Sequence, residues 1–218
     1  QYQSAQGNAA TAGQIVRKFI GDKADAIVAI ATPSAQAAAA ATSSVPIVFS
    51  AVTDPVAAKL VKDLKAPGGN VTGVSDRLPL APQVDLMLKV VPTAKRVGIV
   101  YSPGEINSTI LIKELKAVLA QRGMTLVSAA APRTVDVQAA TKSLVGKVDL
   151  IYSSTDNNVV SAYETMVRVA TDAKLPMIAA DTSSIKRGAV AALGMNYYDM
   201  GRQTGKMVVR ILKGEKPG

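Results

Sequence analysis

The feature that most constrains the fold is a strand, turn, helix, strand pattern between Asp25 and Pro55. Residues 25–31 (DAIVAIA) form a continuous apolar run without alternation, which predicts a parallel strand covered on both faces. TPSAQ (32–36) then begins an alanine-rich helix, and a second apolar strand runs from Val45 to Ser50. Because open α/β sheets bind ligands at the carboxyl ends of their strands, both polar turns are candidate ligand contacts.

The same pattern occurs again between Asp149 and Ser184. A strand begins at Asp149, the turn at Thr155 corresponds to the turn at Thr32, and Asp181 corresponds to Asp54. An approximate repeat of a βαβ unit predicts two similar lobes, each with polar turns at one sheet edge. Two such edges facing each other would form a ligand cleft between the lobes.

The order of predicted elements indicates an α/β fold with two doubly wound parallel-sheet lobes. Short connections join alternating strands and helices from Arg96 to Ala180, as in a parallel sheet with helices on both faces. Asp76 to Pro82 is the candidate crossing, with residues 1–78 in lobe one and residues 79–194 in lobe two, and periodicity alone does not decide on which lobe the last helix packs. Three further elements are predicted: a strand end at residues 1–4, a helix over residues 56–64 and one continuous helix over residues 157–173.

Composition argues against most enzyme classes. The chain of 218 residues has no cysteine and no histidine, which excludes thiol nucleophiles, disulfides and His-based acid–base catalysis. The usual zinc sites are excluded for the same reason. We therefore expect a protein that is not an enzyme and that has no cofactor and no metal site.

The charge pattern does not favour a nucleic-acid partner. The net charge is +9, but the 25 basic residues are spread singly and no aromatic residues interleave with them. No apolar run approaches the ~20 residues that span a bilayer, and the chain contains no leader segment.

Six motifs at consistent spacing extend over almost the whole chain. They are ATPSAQ (31–36), PIVFSAVTDP (46–55), PGGNVTGVSD (67–76), YSPGEINS (101–108), YSSTDNNVV (152–160) and YYDMGRQTGKMVVRILKGEKP (197–217). With these motifs the sequence resembles ABC-transporter substrate-binding proteins of the tryptophan/tyrosine-binding type, which have the periplasmic binding protein type I fold.

This resemblance implies a function and a cellular location. The chain would act as an extracytoplasmic, periplasmic monomer that captures a small amino-acid-like ligand, preferably aromatic, by hinge closure. An ABC permease in the membrane would be its partner. The resemblance also implies that lobe one is truncated before Gln1, where a first strand and helix would lie. It further implies that the last helix returns to lobe one, which would then comprise residues 1–78 plus 195–218.

An amino-acid ligand carries a carboxylate that needs backbone amides and hydroxyl groups. The turns around Thr32 and Ser34 and around Asn107 and Ser108 both offer this at a predicted helix N-terminus. Alternatively, Thr32, Ser34 and Ser108 only cap the helices that follow them.

The ammonium group of such a ligand needs a carboxylate at the end of a strand. Asp181 is the preferred candidate because no periodic helix follows it, whereas Asp156 and Asp54 are also suited to cap or turn roles. Glu105 is either a ligand contact or an exposed loop charge. Tyr101 and Tyr152 could stack on an aromatic ligand, or lie in the core. The candidate ligand-binding residues are Thr32, Ser34, Asp54, Tyr101, Glu105, Asn107, Ser108, Thr155, Asp156 and Asp181.

A different function class remains open from the residues alone. The effector-binding core of a transcription regulator shares the type I fold, although it would need a DNA-binding segment outside this chain. An enzyme that uses only carboxylates is the third alternative.

Overall fold

The computed structural model describes residues 1–218, which divide into two compact units. Unit 1 comprises Gln1–Arg77 and Asn196–Gly218, and unit 2 comprises Leu78–Met195. Each unit contains one sheet in which every strand pairing is parallel. The predicted α/β class with parallel sheets is therefore confirmed.

The elements of unit 1 alternate between helix and strand as far as the second strand, after which the third strand follows without an intervening helix. They are α1 (Ala9–Gly21), β1 (Ile27–Ile30), α2 (Thr32–Ala41), β2 (Ile47–Val52), β3 (Val71–Ser75) and α8 (Tyr197–Leu212).

Unit 2 contains the remaining elements. They are α3 (Leu80–Val90), β4 (Arg96–Tyr101), α4 (Ile106–Gln121), β5 (Thr125–Ala130), a 3₁₀ turn (Thr134–Asp136), α5 (Val137–Leu144), β6 (Leu150–Ser153), α6 (Asn157–Ser161), α7 (Tyr163–Asp172), β7 (Met177–Asp181), a second 3₁₀ helix (Thr182–Arg187) and β8 (Ala191–Met195). None of the helices in either unit combines the length and the apolar character needed to cross a membrane.

The three strands of unit 1 lie in the order β1-β2-β3. The central strand β2 is almost entirely buried, because α2 and α8 both pack against it. Thr204 of α8 is buried, and its Oγ1 lies 2.9 Å from Ser50 Oγ on β2. This polar contact ties the last helix of the chain to the carboxyl-terminal half of β2.

The edge strand β1 differs from its sequence prediction. Ile27 and Ala29 are buried, but Val28 and Ile30 are 46% and 60% exposed, so only one face of this strand is covered. The prediction of a strand covered on both faces was therefore wrong for β1. A continuous apolar run cannot distinguish an edge strand from a central one, because both have the same side-chain chemistry.

The five strands of unit 2 lie in the order β5-β4-β6-β7-β8. Helices cover both faces, with α3 and α4 on one core and α5, α6 and α7 on the other. The chain leaves β4 toward one side to form β5 and then returns to the other side to form β6. The carboxyl ends of β4 and β6 therefore mark a topological switch point, which is where doubly wound sheets have their ligand crevice.

Three local predictions were wrong. The predicted helix at 56–64 consists of turns and bends, because Lys59 has a φ of +59° that no α-helix accommodates. The predicted helix at 157–173 breaks at Ala162, which has φ −114° and ψ 26°, so that α6 and α7 are separate. Residues 1–4 have no regular secondary structure where the sequence predicted a strand end.

The register between β2 and β3 depends on a close approach at Gly73. A Cβ atom at this position would lie 2.2 Å from the carbonyl oxygen of Phe49 and 2.5 Å from its ring. We expect Gly73→Ala to lower the free energy of unfolding by about 1–3 kcal/mol, because the backbone of β2 must move. Urea unfolding followed by circular dichroism measures this. Gly104→Ala is the control, since a Cβ there has no neighbour within 4 Å; equal stability of both variants would contradict the prediction.

Candidate functional site

The turn between β1 and α2 holds the backbone in a strained conformation. Ala31 has φ 67° and ψ 160°, a region that is populated almost only by glycine and costs about 1–3 kcal/mol. Its N–H donates a 2.9 Å hydrogen bond to the carbonyl oxygen of Ser50. On the neighbouring strand Ala51 also has a positive φ, 57°, where a bulge interrupts the pairing with β3. Both distortions lie at the carboxyl edge of the sheet of unit 1.

The N-terminus of α2 has no side-chain cap. Thr32 and Ser34 lie inside the helix rather than before it, and Ala31 occupies the N-cap position. Thr32 is buried and Ser34 is half-buried, and neither hydroxyl has a hydrogen-bond partner in the protein. The alternative that these two residues cap α2 was therefore wrong.

Asp54 has the turn role that the sequence offered as an alternative. Its Oδ1 accepts a 2.9 Å hydrogen bond from the N–H of Ala57. Its Oδ2 lies 2.8 Å from Nη1 of Arg77 in an ion pair. Both carboxylate oxygens are thus engaged within unit 1.

Asp156 is the centre of a buried network at the switch point of unit 2. Its side chain is 1% exposed, and each oxygen accepts two hydrogen bonds. Oδ1 accepts from Val159 N–H (2.9 Å) and Ser102 Oγ (3.1 Å), and Oδ2 accepts from Ser102 N–H (2.7 Å) and Ser108 Oγ (2.6 Å). Asp156 is therefore the N-cap of α6, and Ser108 contacts it rather than capping α4.

Glu105 joins the start of α4 to the start of α6. Its carboxylate accepts hydrogen bonds from the backbone N–H groups of Asn157 and Asn158, at 3.1 and 3.0 Å. The side-chain amides of Asn157 and Asn107 add two more, at 2.7 and 3.0 Å. Since α6 begins at Asn157, the negative charge of Glu105 lies where the partial positive charge of a helix N-terminus favours it. Glu105 is half-buried, so the alternative of an exposed loop charge was wrong.

Asp181 is the N-cap of the 3₁₀ helix that follows β7. Its Oδ1 accepts from the N–H of Ser184 at 3.0 Å and from the hydroxyl of Ser183, and its Oδ2 accepts from the hydroxyl of Ser184 at 2.5 Å. The aspartate is 8% exposed. The sequence contained no periodic helix after Asp181, which hid this capping role, because a 3₁₀ helix has no 3.6-residue period.

Several polar atoms near the switch point have no partner. Asn107 is 4% exposed, and its Oδ1 makes no hydrogen bond while its Nδ2 donates to Glu105. The hydroxyl groups of Ser153 and Ser154, at the carboxyl end of β6, are also buried and unpartnered. Buried polar groups are normally satisfied, so these atoms are available to a polar ligand or to water.

The tyrosines and Thr155 differ in accessibility. Tyr152 is 1% exposed, and burial raises the pKa of its phenol, so it belongs to the core and not to a stacking surface. Tyr101 and Thr155 are half-buried, and neither side chain has a hydrogen-bond partner within the protein.

Sequence reasoning missed Asp76, which follows directly after β3. It is 5% exposed, yet its carboxylate has only the hydroxyl of Thr53 at 3.0 Å and that of Tyr197 at 3.5 Å as side-chain donors. Burial raises the pKa of Asp76, and hydrogen bonds from Thr53, from its own backbone N–H and from Tyr197 oppose this only partly. A polar residue directly after an apolar strand was the available signal, but the prolines that follow suggested a simple crossing.

The network around Asp156 should contribute to stability. In Asp156→Asn, whichever oxygen is replaced by an amide nitrogen will face a backbone N–H, so a buried donor loses its acceptor. We expect the free energy of unfolding to fall by about 2–4 kcal/mol, measured by urea unfolding. The matched control is Asp172→Asn, an exposed aspartate of α7, which should change it by less than about 0.5 kcal/mol. A loss no larger than in the control would show that the network is energetically neutral.

The buried carboxylate of Asp76 should destabilise the protein at neutral pH. Because its pKa in the folded protein lies above the ordinary value of 3.8, the folded state binds more protons in this range, and stability falls as the pH rises through it. We therefore expect Asp76→Asn to unfold at a higher urea concentration than the wild type at pH 7. The difference should shrink toward pH 4. A variant that is less stable at pH 7 would contradict this assignment.

The chain is similar to known proteins over its whole length. The family described as ABC transporter substrate binding protein matches residues 1–218. The tyrosine-binding protein of Clostridioides difficile is 40% identical over 217 residues, which are 100% of this chain and 63% of that protein. The chain thus spans less than two thirds of the length of this curated relative.

Two solved structures are similar over the entire chain. A conserved domain protein of Vibrio cholerae has a TM-score of 0.98 and 49% identity, with 73% of its own chain covered. The ABC domain of Streptococcus pneumoniae in complex with L-Trp has a TM-score of 0.97 and 37% identity, with 74% of that chain covered. The chain therefore belongs to the ABC transporter substrate-binding protein family, with the periplasmic binding protein type I fold.

Proposed function

We propose that this protein is the ligand-capturing component of an ABC importer and that it binds an α-amino acid, with an aromatic side chain preferred. Proteins of this family are extracytoplasmic, and we propose the same location for this chain. It would deliver its ligand to a membrane permease without chemical change. Capture by closure of the two lobes, as the sequence predicts, is part of the proposal.

The observation that carries the proposal is similarity along the full chain to proteins with named ligands. One relative, 40% identical, is a tyrosine-binding protein, and another, 37% identical, forms a complex with L-Trp. Both ligands combine an α-ammonium, an α-carboxylate and an aromatic ring with a polar group.

The α2 N-terminus supports binding of the carboxylate. Its first amides have no side-chain acceptor, and the helix dipole favours a negative charge at this end. The hydroxyls of Thr32 and Ser34 are both without a partner and can add hydrogen bonds. The strained backbone of Ala31 is the type of conformation that proteins keep at ligand sites, because a functional geometry offsets its cost.

The candidate residues fall into two groups by their hydrogen bonding. Asp54, Glu105, Ser108, Asp156 and Asp181 use their polar atoms to hold turns and helix ends, so we propose positioning roles for them. The other group has polar atoms without a partner in the protein, and we propose these residues as direct ligand contacts: Thr32, Ser34, Tyr101, Asn107 and Thr155. Free polar groups that converge on a small ligand are typical of pockets that bind such molecules.

A thermal-shift series tests the proposed function. Purified protein is heated with L-tyrosine, L-tryptophan, L-phenylalanine, glycine or a neutral sugar at millimolar concentration. A ligand that binds only the folded state at 100 times its Kd adds about 2.7 kcal/mol of stability, which raises Tm by roughly 5–10 °C for a chain of this size. We expect this rise with at least one aromatic amino acid and none with the sugar. A folded protein whose Tm responds to no amino acid would contradict the proposal.

A further inference from the structure

We infer that Asp76 accepts the ammonium group of the ligand and selects for primary amines. This inference rests on the proposed function and adds the residue that recognises the amino end. None of the carboxylates predicted from the sequence is suited to this role, because each is already held by at least two donors within its own unit. Asp76 is buried, and it has fewer hydrogen-bond donors than its carboxylate can accept.

The geometry around Asp76 leaves one oxygen nearly unused. Oδ1 accepts a good hydrogen bond from Thr53 Oγ1 at 3.0 Å. Oδ2 has only the hydroxyl of Tyr197, at 3.5 Å, which is the outer limit of a hydrogen bond. By comparison, Asp156 is buried to a similar degree and accepts four hydrogen bonds of 3.1 Å or less. An ionised carboxylate can accept about four, so Asp76 has capacity for two or more donors.

Asp76 also has no counter-charge. The guanidinium of the adjacent Arg77 directs its Nη1 to Asp54, at 2.8 Å, and no neighbouring cation is among the causes that lower the pKa of Asp76. A buried carboxylate without a cation is costly, and proteins normally pair it, protonate it or bind a cation there. An ammonium group supplies the missing positive charge and three N–H donors together. A neutral ligand supplies no charge, and an anion would repel the carboxylate.

The position of Asp76 is appropriate for a ligand contact. It follows β3 at the carboxyl edge of the three-stranded sheet, the edge at which the turn of Thr32 also lies. Thr53, its hydrogen-bond partner, follows the neighbouring strand β2 at the same edge. Parallel sheets bind their ligands at this edge. One sheet edge therefore carries both features, the uncapped N-terminus of α2 after β1 and the buried carboxylate after β3.

A purely structural role for Asp76 makes a different prediction. If its carboxylate only joined Thr53 and Tyr197, removing its charge would weaken the fold and would affect every ligand equally. If it receives an ammonium group, the loss is restricted to ligands with an amino group. Each amino acid can therefore be compared with the same molecule without its amine.

The experiment uses isothermal titration calorimetry on the wild type and Asp76→Asn. The ligands are L-tyrosine and L-tryptophan with their desamino analogues, 3-(4-hydroxyphenyl)propionate and indole-3-propionate. We expect Asp76→Asn to lose affinity for the amino acids by at least about 30-fold, as for removal of one partner of a buried charge pair. Affinity for the desamino analogues should stay within a few-fold of the wild-type value or improve. Asp25→Asn, an exposed aspartate of unit 1 with the same change in charge, is the control and should leave all affinities unchanged.

The outcomes separate this inference from the proposed function. Wild-type protein that binds an aromatic amino acid, with Asp76→Asn binding it equally well, would overturn the role of Asp76 alone. An equal loss for amino acids and desamino analogues would also overturn it, in favour of a structural role. Wild-type protein that binds no amino acid would overturn both.

Discussion

The carboxylate of Asp156 is the interaction on which the order of unit 2 depends. Through four hydrogen bonds it joins the end of β4, the first turn of α4 and the start of α6. These segments belong to two βα units, β4–α4 and β6–α6, which meet where the strand order reverses. Because a buried charge is tolerated only when its donors are fixed, the network holds the backbone of these turns in one arrangement. Glu105 adds a second bridge between the same two helices. The turns at the switch point are therefore held by hydrogen bonds within unit 2 itself.

Aspartates at strand ends have opposite roles in this protein, and the number of donors decides between them. Asp156 lies after β6 and Asp181 is the last residue of β7, and each caps the helix that comes next, so that its charge is already compensated. Asp76 follows β3, but the next helix, α3, starts only at Leu80, after Pro79. An aspartate at the end of a strand thus caps a helix at positions 156 and 181, whereas the carboxylate of Asp76 has fewer hydrogen-bond donors than it can accept.

Much of the fold could be predicted because alternating strands and helices leave strong local signals. Apolar runs identified β2, β4, β6 and β7, and glycine or proline marked most helix ends. The sequence pattern gave a wrong prediction where the backbone conformation of a single residue prevents or interrupts a helix, as at Lys59 and Ala162. For the candidate site, the sequence indicated which turns carry polar residues, but it could not show which carboxylates have all their hydrogen bonds. That information depends on Ser102, Ser108 and Asn157, which are distant from their partners in sequence.

Three energetically unfavourable features of unit 1 lie at the same sheet edge. The backbone of Ala31 is strained, Ala51 lies in a bulge with positive φ, and Asp76 is a buried charge without a counter-ion, all at the carboxyl edge of one three-stranded sheet. Each feature lowers the stability of the ligand-free protein, and replacements such as glycine at position 31 would relieve it. An amino acid, the proposed ligand, carries a carboxylate and an ammonium group, the two charges that suit an uncapped helix N-terminus and a buried carboxylate without a counter-ion. The features that lower stability therefore lie at the sheet edge where binding of the proposed ligand can offset their energetic cost.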